Sequence, residues 1–254
     1  MSDIKIIVAT HKQYWMPSDP MYLPLHVGRE GKDDLGYTGD NTGDNISSRN
    51  ANFCELTGLY WAWKNLPCDY LGLAHYRRHF SNGKLLGDKK SHVISQAELE
   101  PKLAEESILL PTPRNYWIET SYSQYAHAHH AIDLDTTRQI LSEKYPSYLA
   151  AFDDCMNRTT GHRFNMFIMR RDLLDEYCTW LFDILFELES RLDISSYNKN
   201  DSRVFGFVSE RLLDPWIEIN HHTYEEIPYV FMENQNWFIK GKNFLVRKIR
   251  NTGK

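Results

Sequence analysis

Mainly apolar runs alternate with helix-spaced apolar residues along the first third of the chain. The run IKIIVATH (residues 4–11) is typical of a strand that is buried on both faces of a parallel sheet. A helical pattern follows in ANFCELTGLYWAWKNL (51–66), for which Asn50 is expected to be the cap. The next run, DYLGLAHY (69–76), is again strand-like, so the order strand, helix, strand predicts a right-handed parallel crossover.

Between the first strand and this helix, residues 12–49 are polar and rich in Gly, Asp and Asn. They lead into GYTGDNTGDNISSRN (36–50), a composition that regular elements avoid. We expect either a long ordered loop over a ligand site or a disordered segment.

Further elements are predicted in the rest of the chain. Ser95 and Glu98 fit a capping box, and Pro101 is expected to kink or limit the helix that follows. Asp135 is expected to cap a helix after a histidine-rich segment. The other predicted elements are strands SILLPTP (107–113), HRFNMFIMRR (162–171) and IPYVFM (227–232), a long helix (172–193), and a helix RVFGFVSERLLDPWI (203–217) that Pro215 closes.

This pattern predicts one α/β domain with a mainly parallel central sheet flanked by helices, over residues 1–223, and a C-terminal extension over 224–254. The extension contains the basic, aromatic stretch WFIKGKNFLVRKIRNTGK (237–254). Two interpretations remain open for it: a weak anchor on an anionic membrane surface, or a solvated basic tail.

Composition excludes several classes of protein. The chain has 29 Lys and Arg against 34 Asp and Glu, a net charge of −5, so no overall basic field favours nucleic acid as a partner. Four scattered cysteines without a C-x-x-C pair argue against a zinc knuckle or a disulfide scaffold and indicate reduced thiols. The N-terminus lacks the features of a signal peptide, and no apolar window is long enough for a membrane span, so we expect a cytoplasmic protein.

The strand 69–76 runs into a cluster of cationic and ionisable side chains. His75, Arg77, Arg78 and His79 fall within five positions at the carboxyl end of a predicted strand, where ligands bind in open α/β sheets. The arginines suit the oxygens of a diphosphate, and either histidine suits a hydrogen bond or a metal ion. The alternative is an ordinary surface ion pair.

Three other stretches contain candidate chemistry. The loop GDNTGDNIS (39–47) offers Asp40, Asn41, Asp44 and Asn45 for sugar hydroxyls or a cation, or is a turn stabilised by its own side chains. HAHH (127–130) lacks zinc-ligand spacing and is expected either to bind phosphate or sugar or to pack beside tyrosines. DLD (133–135) formally matches a metal-binding D-x-D, although a helix cap is the favoured interpretation.

Glu210 lies in a predicted amphipathic helix. A partly buried carboxylate there would serve as a general base for a sugar hydroxyl. An exposed glutamate paired with Arg211 or Arg203 is the alternative.

Four segments together resemble a bacterial family of capsular and extracellular polysaccharide glycosyltransferases, long catalogued as a domain of unknown function. The segments are residues 39–65, 69–80, 162–189 and 203–217. The resemblance spans roughly residues 4–229 and rests most on ELT…YWAWKN and HYRR. It implies a GT-A-like, Rossmann-like fold, a UDP-sugar donor with UDP-galactofuranose as the first guess, and a lipid-linked oligosaccharide acceptor. It also implies peripheral attachment to the inner face of the cytoplasmic membrane.

The resemblance also assigns roles to residues. The donor would contact Val8, Ala9, Thr10 and His11, with Asp44, Asn45 and Glu55 near the sugar and His75, Arg77 and Arg78 at the diphosphate. The acceptor would lie near His129, His130 and Asn165, and Glu210 would be the base of an inverting displacement.

One departure from the usual GT-A pattern puts metal dependence in doubt. HYRR stands where many such enzymes have D-x-D, so cationic side chains would replace Mn²⁺ or Mg²⁺, although His75 remains a possible metal ligand. A carbohydrate-binding module without catalysis and a histidine-dependent metallohydrolase remain as competing functions.

Overall fold

A mainly parallel sheet lies at the centre of the computed structural model, which describes residues 2–233. Its strands form two sheets, a large one and a two-stranded one made of β7 and β8. The strands β1 to β11 span Ile4–Thr10, Tyr22–His26, Thr38–Gly39, Tyr70–His75, Arg78–Phe80, Ile108–Pro111, Arg114–Asn115, Thr160–Gly161, Phe167–Arg170, Glu225–Ile227 and Tyr229–Phe231.

Helices cover both faces of the large sheet. The longest helix matches the amphipathic pattern predicted over 172–193. The helices α1 to α9 span Asn50–Phe53, Leu56–Asn65, Gln96–Glu105, Ser121–Ala128, Ala131–Lys144, Leu149–Asn157, Arg171–Arg191, Val204–Ser209 and Leu213–Ile219.

The order and direction of the strands determine which residues meet at the carboxyl edge of the sheet. The sheet runs β10-β6-β9-β4-β1-β2-β3, with β5 beside β4 and β11 beside β5. Strands β1, β2 and β4 are parallel, so Ala9 lies opposite His75 and Thr10 opposite His26 at one carboxyl edge. Strand β9 is antiparallel to both of its neighbours. The predicted fold class, α/β with a mainly parallel sheet, is confirmed.

Alternate residues of β1 enter two different cores. Ile7 and Ala9 belong to the larger core, with residues of α2 and α7. Ile6 and Val8 belong to the smaller one, with Leu99 of α3. Successive side chains of a strand point to opposite faces, so burial on both faces requires the unbroken apolar pattern of this strand.

Residues 12–49, expected as a long loop or a disordered segment, contribute two strands to the sheet. Tyr22–His26 adds parallel to β1, and Thr38–Gly39 adds to its far side. The rest of the stretch is tied down by the buried Asp40 carboxylate, which accepts hydrogen bonds from four donors: the backbone N–H groups of Gly28 and Arg29 and the hydroxyls of Ser47 and Thr57. Residues 12–49 are therefore largely ordered, although their composition is polar.

Two predicted helix features are wrong around residues 50–66. The helix is interrupted at Cys54, whose φ is +54°, and resumes at Leu56. Asn50 is not a cap: its side-chain amide donates to the carbonyl of Cys54 at 2.7 Å and to the hydroxyl of Thr57 at 3.1 Å. Its side chain thus stabilises the break rather than the start of a helix.

Other boundaries also differ from the predictions. The capping box of Ser95 and Glu98 is confirmed, but Pro101 lies within a continuous α3. Asp135 is inside α5, which begins at Ala131, so it is not the cap. Pro215 lies in the first turn of α9, where a missing N–H costs little, and does not close a helix.

Residues 225–231 form β10 and β11 and pair with β6 and β5. The sheet therefore continues beyond the domain boundary predicted after residue 223. The basic tail 237–254 lies outside the described residues. Within residues 2–233, no helix combines the length and the hydropathy that crossing a bilayer requires.

Candidate functional site

A cavity with a volume of about 170 Å³ opens where β4 ends. Side chains from β4, β5, the α1–α2 junction and α8 converge there. The lining comprises Cys54, Glu55, His75, Arg77, Arg78, Phe164, Arg203, Gly206, Phe207 and Glu210. Of the predicted site residues, the structure thus brings together Glu55, His75, Arg77, Arg78 and Glu210, and their roles in binding stay predictions.

Arg78 is held by aromatic rings rather than by a carboxylate. Its guanidinium carbon lies 3.5 Å from the ring centroid of Phe164 and 4.7 Å from that of Phe231. Burial lowers the pKa of Arg78 to about 10, so the group remains charged at neutral pH. Within residues 2–233 no carboxylate lies within ion-pair distance of it, so its charge is available to an anion in the cavity.

His75 is fixed in one neutral form. Its Nε2–H donates to the carbonyl of Phe164 at 2.6 Å, since a carbonyl can only accept. Burial, assisted by the charge of Arg78, lowers the pKa of His75 to about 4. His79, the other histidine of the cluster, lies in the core, with its ring edge-on to Trp15 and Tyr22. Arg78 and His79 are successive residues of β5, so their side chains point to opposite faces of the sheet.

A left-handed turn before β9 shapes the floor of the cavity. Phe164 and Asn165 have φ values of +78° and +54°, which delays the predicted strand until Phe167. The Asn165 amide donates to Glu55 at 2.7 Å and to the carbonyl of Gly206 at 3.0 Å, and its oxygen accepts from Ser209 at 2.8 Å. Non-glycine residues adopt this conformation at a cost of roughly 1–3 kcal/mol, a strain that tends to occur at functional sites.

Glu55 faces the cavity in a desolvated position. Burial raises its pKa above the usual range, against the hydrogen bond from Asn165. Asn165, predicted to contact the acceptor, is only 7% exposed and instead holds this carboxylate in place.

The packing of α1 against α8 closes one wall. A Cβ on Gly206 would lie 3.2 Å from Cβ and Sγ of Cys54, so a glycine permits this approach. Arg203 donates from Nε to the Cys54 sulfur at 3.2 Å and lies over the ring of Phe207. Burial raises the pKa of Cys54 to about 12, so the thiol stays protonated and is not a nucleophile at neutral pH.

Glu210 ends α8 with its side chain 18% exposed. Arg211, itself buried, donates to its Oε2 at 3.1 Å, and Arg163 donates to its main-chain carbonyl at 3.1 Å. Glu210 is thus paired with Arg211, as one alternative expected, and is also partly buried at the cavity, while its role as a base stays a prediction.

His11, which follows β1, lies among cationic side chains that favour its neutral form. Burial lowers the pKa of His11, and the charges of Lys12 and Arg77 lower it further. Of the predicted nucleotide contacts here, His11 just after β1 is exposed, whereas Val8, Ala9 and Thr10 are buried in the strand. Their contact with a nucleotide stays a prediction.

Asp44 and Asn45 do not line this cavity. Asp44 accepts from the hydroxyl of Tyr60 at 3.2 Å, and Asn45 accepts from the backbone of Ser47 at 3.1 Å. These contacts match the interpretation as a self-stabilised turn.

His129 and His130 share one carboxylate beside the cavity. His129 lies 2.9 Å from Asp201 and stacks on Phe207, which lines the cavity, at 4.3 Å. His130 stacks on Tyr197 and lies 3.6 Å from Asp201. In place of a metal-binding D-x-D, the buried Asp133 accepts hydrogen bonds from tyrosine hydroxyls and Asp135 accepts from Tyr122.

The residues around the cavity do not fit a divalent metal ion. Within residues 2–233 no three His, Cys, Asp or Glu side chains are grouped so as to hold one. Moreover, Nε2 of His75 is committed to a carbonyl.

Sequence reasoning missed five lining residues: Cys54, Phe164, Arg203, Gly206 and Phe207. Four of them are apolar, small or sulfur-containing, and these types occur throughout cores. Arg203 could have been predicted, because it begins the same predicted amphipathic helix that contains Glu210.

Comparisons with known proteins agree with this architecture. A solved structure described as the apo form of the WbbM bifunctional glycosyltransferase superposes with a TM-score of 0.85 at 30% sequence identity. The match covers 91% of this chain and 46% of that one, so this chain spans about half the length of that protein. No curated protein matches the sequence. Residues 5–222 match the family described as domain of unknown function DUF4422, and the chain belongs to that family.

Proposed function

We propose that the protein is a glycosyltransferase that transfers a sugar from a nucleotide-sugar donor to a glycan acceptor in the synthesis of a cell-surface polysaccharide. The observation that carries the proposal is the cavity at the carboxyl edge of the sheet, where Arg77, Arg78 and Arg203 face Glu55 and Glu210. Its overall likeness to a bifunctional glycosyltransferase supports the same class of reaction.

The arginines suit a diphosphate leaving group. A guanidinium offers paired N–H donors to adjacent phosphate oxygens, and Arg78 needs no release from a carboxylate to do so. As the bond between the anomeric carbon and the diphosphate breaks, its electron pair moves to the leaving oxygen, where these cations stabilise the charge. This arrangement requires no metal ion.

Glu210 is the proposed base. The acceptor hydroxyl gives its proton to the Glu210 carboxylate while its oxygen attacks the anomeric carbon, which inverts the configuration there. In this proposal Glu55, which Asn165 holds at the cavity, contacts the donor sugar. His129, which stacks on the cavity residue Phe207, and its neighbour His130 contact the acceptor.

The finer identities are proposed from the sequence resemblance. They are UDP as the nucleotide, galactofuranose as the sugar, and a lipid-linked oligosaccharide as the acceptor. We also propose that the enzyme is peripheral on the inner face of the cytoplasmic membrane, through its basic tail.

Isothermal calorimetry and thermal shift with UDP and a panel of UDP-sugars, with and without Mn²⁺, test the proposal. We expect binding of UDP and stabilisation in the absence of metal, because a ligand that binds the native state raises its stability. Binding of glycans without affinity for any nucleotide would instead indicate a carbohydrate-binding module.

A further inference from the structure

Two adjacent leucines between β5 and α3 project into solvent. Leu85 is 92% exposed and Leu86 is 90% exposed, the highest values among large apolar side chains in the part of the chain that the structure describes. Single exposed apolar residues are common on soluble proteins, but a contiguous exposed pair marks a candidate contact surface.

The loop that carries them is held in shape by hydrogen bonds. It is flanked by Gly83 and Gly87, with φ values of +80° and +108°, and the carbonyl of Leu86 accepts from Nε2 of the buried His92 at 3.1 Å. The backbone of Asn82 also donates to the carbonyl of His92 at 2.9 Å. These hydrogen bonds fix the base of the loop, and the two leucines stand clear of the core.

Basic side chains flank the leucines along the chain, together with one acidic residue, Asp88. Lys84 is 61% exposed and lies 3.6 Å from Glu98, and Lys90 is exposed with its ammonium 5.5 Å from the ring centroid of Trp15. Such cations beside apolar groups match the composition of segments that lie at the surface of an anionic bilayer.

The C-terminal tail leaves the described structure at the same place. Lys89 donates to the carbonyl of Glu233 at 3.1 Å, and Ser81 donates to the carbonyl of Pro228 at 2.7 Å. The 21 residues after Glu233 contain six Lys or Arg and no Asp or Glu. Residues 83–90 contain three lysines and one acidic residue, Asp88. The loop and the tail therefore both carry net positive charge, and the loop touches the chain at Glu233, just before the tail begins.

We propose that the surface formed by residues 83–90, here called the leucine loop, docks on an anionic lipid bilayer, with Leu85 and Leu86 entering the interface and Lys84 and Lys90 facing lipid headgroups. The docking surface rests on the proposed function in one respect, because a lipid-linked acceptor would be held at the same membrane surface. Strand β5 joins the loop directly to Arg78, so docking would bring the cavity close to the membrane.

Flotation of the full-length protein with vesicles tests the proposal. We expect binding to vesicles of phosphatidylcholine and phosphatidylglycerol in equal parts and little binding to pure phosphatidylcholine. The double variant Leu85→Ser/Leu86→Ser should partition to the anionic vesicles at least about tenfold more weakly, since burying leucine side chains is favourable and a tenfold change corresponds to about 1.4 kcal/mol.

The matched control is Trp117→Asn/Ile118→Ser, which removes another exposed apolar pair, 82% and 66% exposed, and should bind vesicles like the parent. The proposal is overturned if the leucine-loop variant binds vesicles as strongly as the parent. It is also overturned if sedimentation without lipid shows a dimeric parent and a monomeric variant, because the leucines would then form a protein contact. Calorimetry with UDP on parent and variant separates the two proposals. If neither protein binds UDP, the proposed glycosyltransferase function is rejected, and the vesicle experiment still decides whether the leucine loop binds lipid.

Discussion

The guanidinium of Arg78 stacks on Phe164 at 3.5 Å, and the same Phe164 offers its carbonyl to His75. One left-handed residue thus orients both His75 and Arg78 of the HYRR stretch. The arginine is directed into the cavity as a charge without a carboxylate partner among the described residues, and the histidine is kept neutral. This relationship makes Arg78 the first residue to change.

Replacement Arg78→Ala should weaken UDP binding at least about tenfold, because a charged hydrogen bond contributes roughly 1.5–3 kcal/mol. Arg78→Lys should recover only part of the loss, since lysine keeps the charge but lacks the planar fork and the ring stacking. Calorimetry measures both, with Arg114→Ala, an exposed arginine beside Tyr116, as the control. Parent-like affinity in Arg78→Ala would show that the diphosphate binds elsewhere.

Replacement Glu210→Gln should lower turnover by about 10²–10⁴, the usual contribution of a general base, and leave UDP affinity unchanged. Glutamine can still accept the hydrogen bond from Arg211, so the fold is expected to persist. Release of UDP in the presence of donor and acceptor gives the rate. The control is Glu189→Gln, a surface glutamate paired with Arg49. If turnover survives, the base is another group, with Glu55 the next to test.

The position of this site was predictable from one physical rule. An apolar strand that ends in HYRR delivers its polar end to the carboxyl edge of a parallel sheet, and the structure has Arg77, Arg78 and His75 around a cavity there. Glu210 was found for a similar reason, since a carboxylate interrupts an otherwise apolar helix face.

Other parts depended on contacts that sequence patterns do not record. The left-handed conformations of Cys54 and Phe164 follow from tertiary packing, because neither residue favours positive φ as glycine does. Likewise, the strand Tyr22–His26 is short and surrounded by polar residues, so its pairing with β1 was not visible in local periodicity.

The loop 39–47 offers a direct contrast between two aspartates. Asp40→Ala would leave four buried or partly buried donors without their acceptor and should lower the free energy of unfolding by at least about 3 kcal/mol. Asp44→Ala removes one exposed hydrogen bond from Tyr60 and should cost less than about 1 kcal/mol. Urea denaturation of both variants measures this difference. Equal losses of stability in the two variants would contradict the scaffold role of Asp40. UDP-sugar binding by the Asp44→Ala variant separately tests the predicted contact of Asp44 with the donor.

Acidification should destabilise the protein through His79. Burial lowers its pKa from 6.5 to about 4, so between those values only the unfolded chain takes up the proton. Stability is therefore unaffected by this group above pH 6.5 and falls as the pH drops toward 4, by about 2 kcal/mol between pH 7 and pH 5.

The variant His79→Phe keeps a ring against Trp15 and Tyr22 and should lose correspondingly less stability over that interval. Chemical denaturation at pH 7 and pH 5 gives the comparison, with His221→Asn at an exposed position as the control. The same pH dependence in His79→Phe as in the parent would assign the acid sensitivity to other groups, of which His75 is one.

Two variants of Asn165 separate its hydrogen bonds from its backbone conformation. Asn165→Ala loses the contacts with Glu55, Gly206 and Ser209. It keeps a Cβ at φ +54° without the polar side chain that lets asparagine tolerate this conformation, so the loss of stability should be about 3–5 kcal/mol. Asn165→Gly loses the same contacts without the strain and should be about 1–2 kcal/mol more stable than the alanine variant. Urea denaturation measures the difference, and UDP-sugar calorimetry should show weakened donor binding in both variants, because each releases Glu55. Equal stability of the two would mean that the turn relaxes at no cost, in which case the left-handed geometry is not what positions the carboxylate.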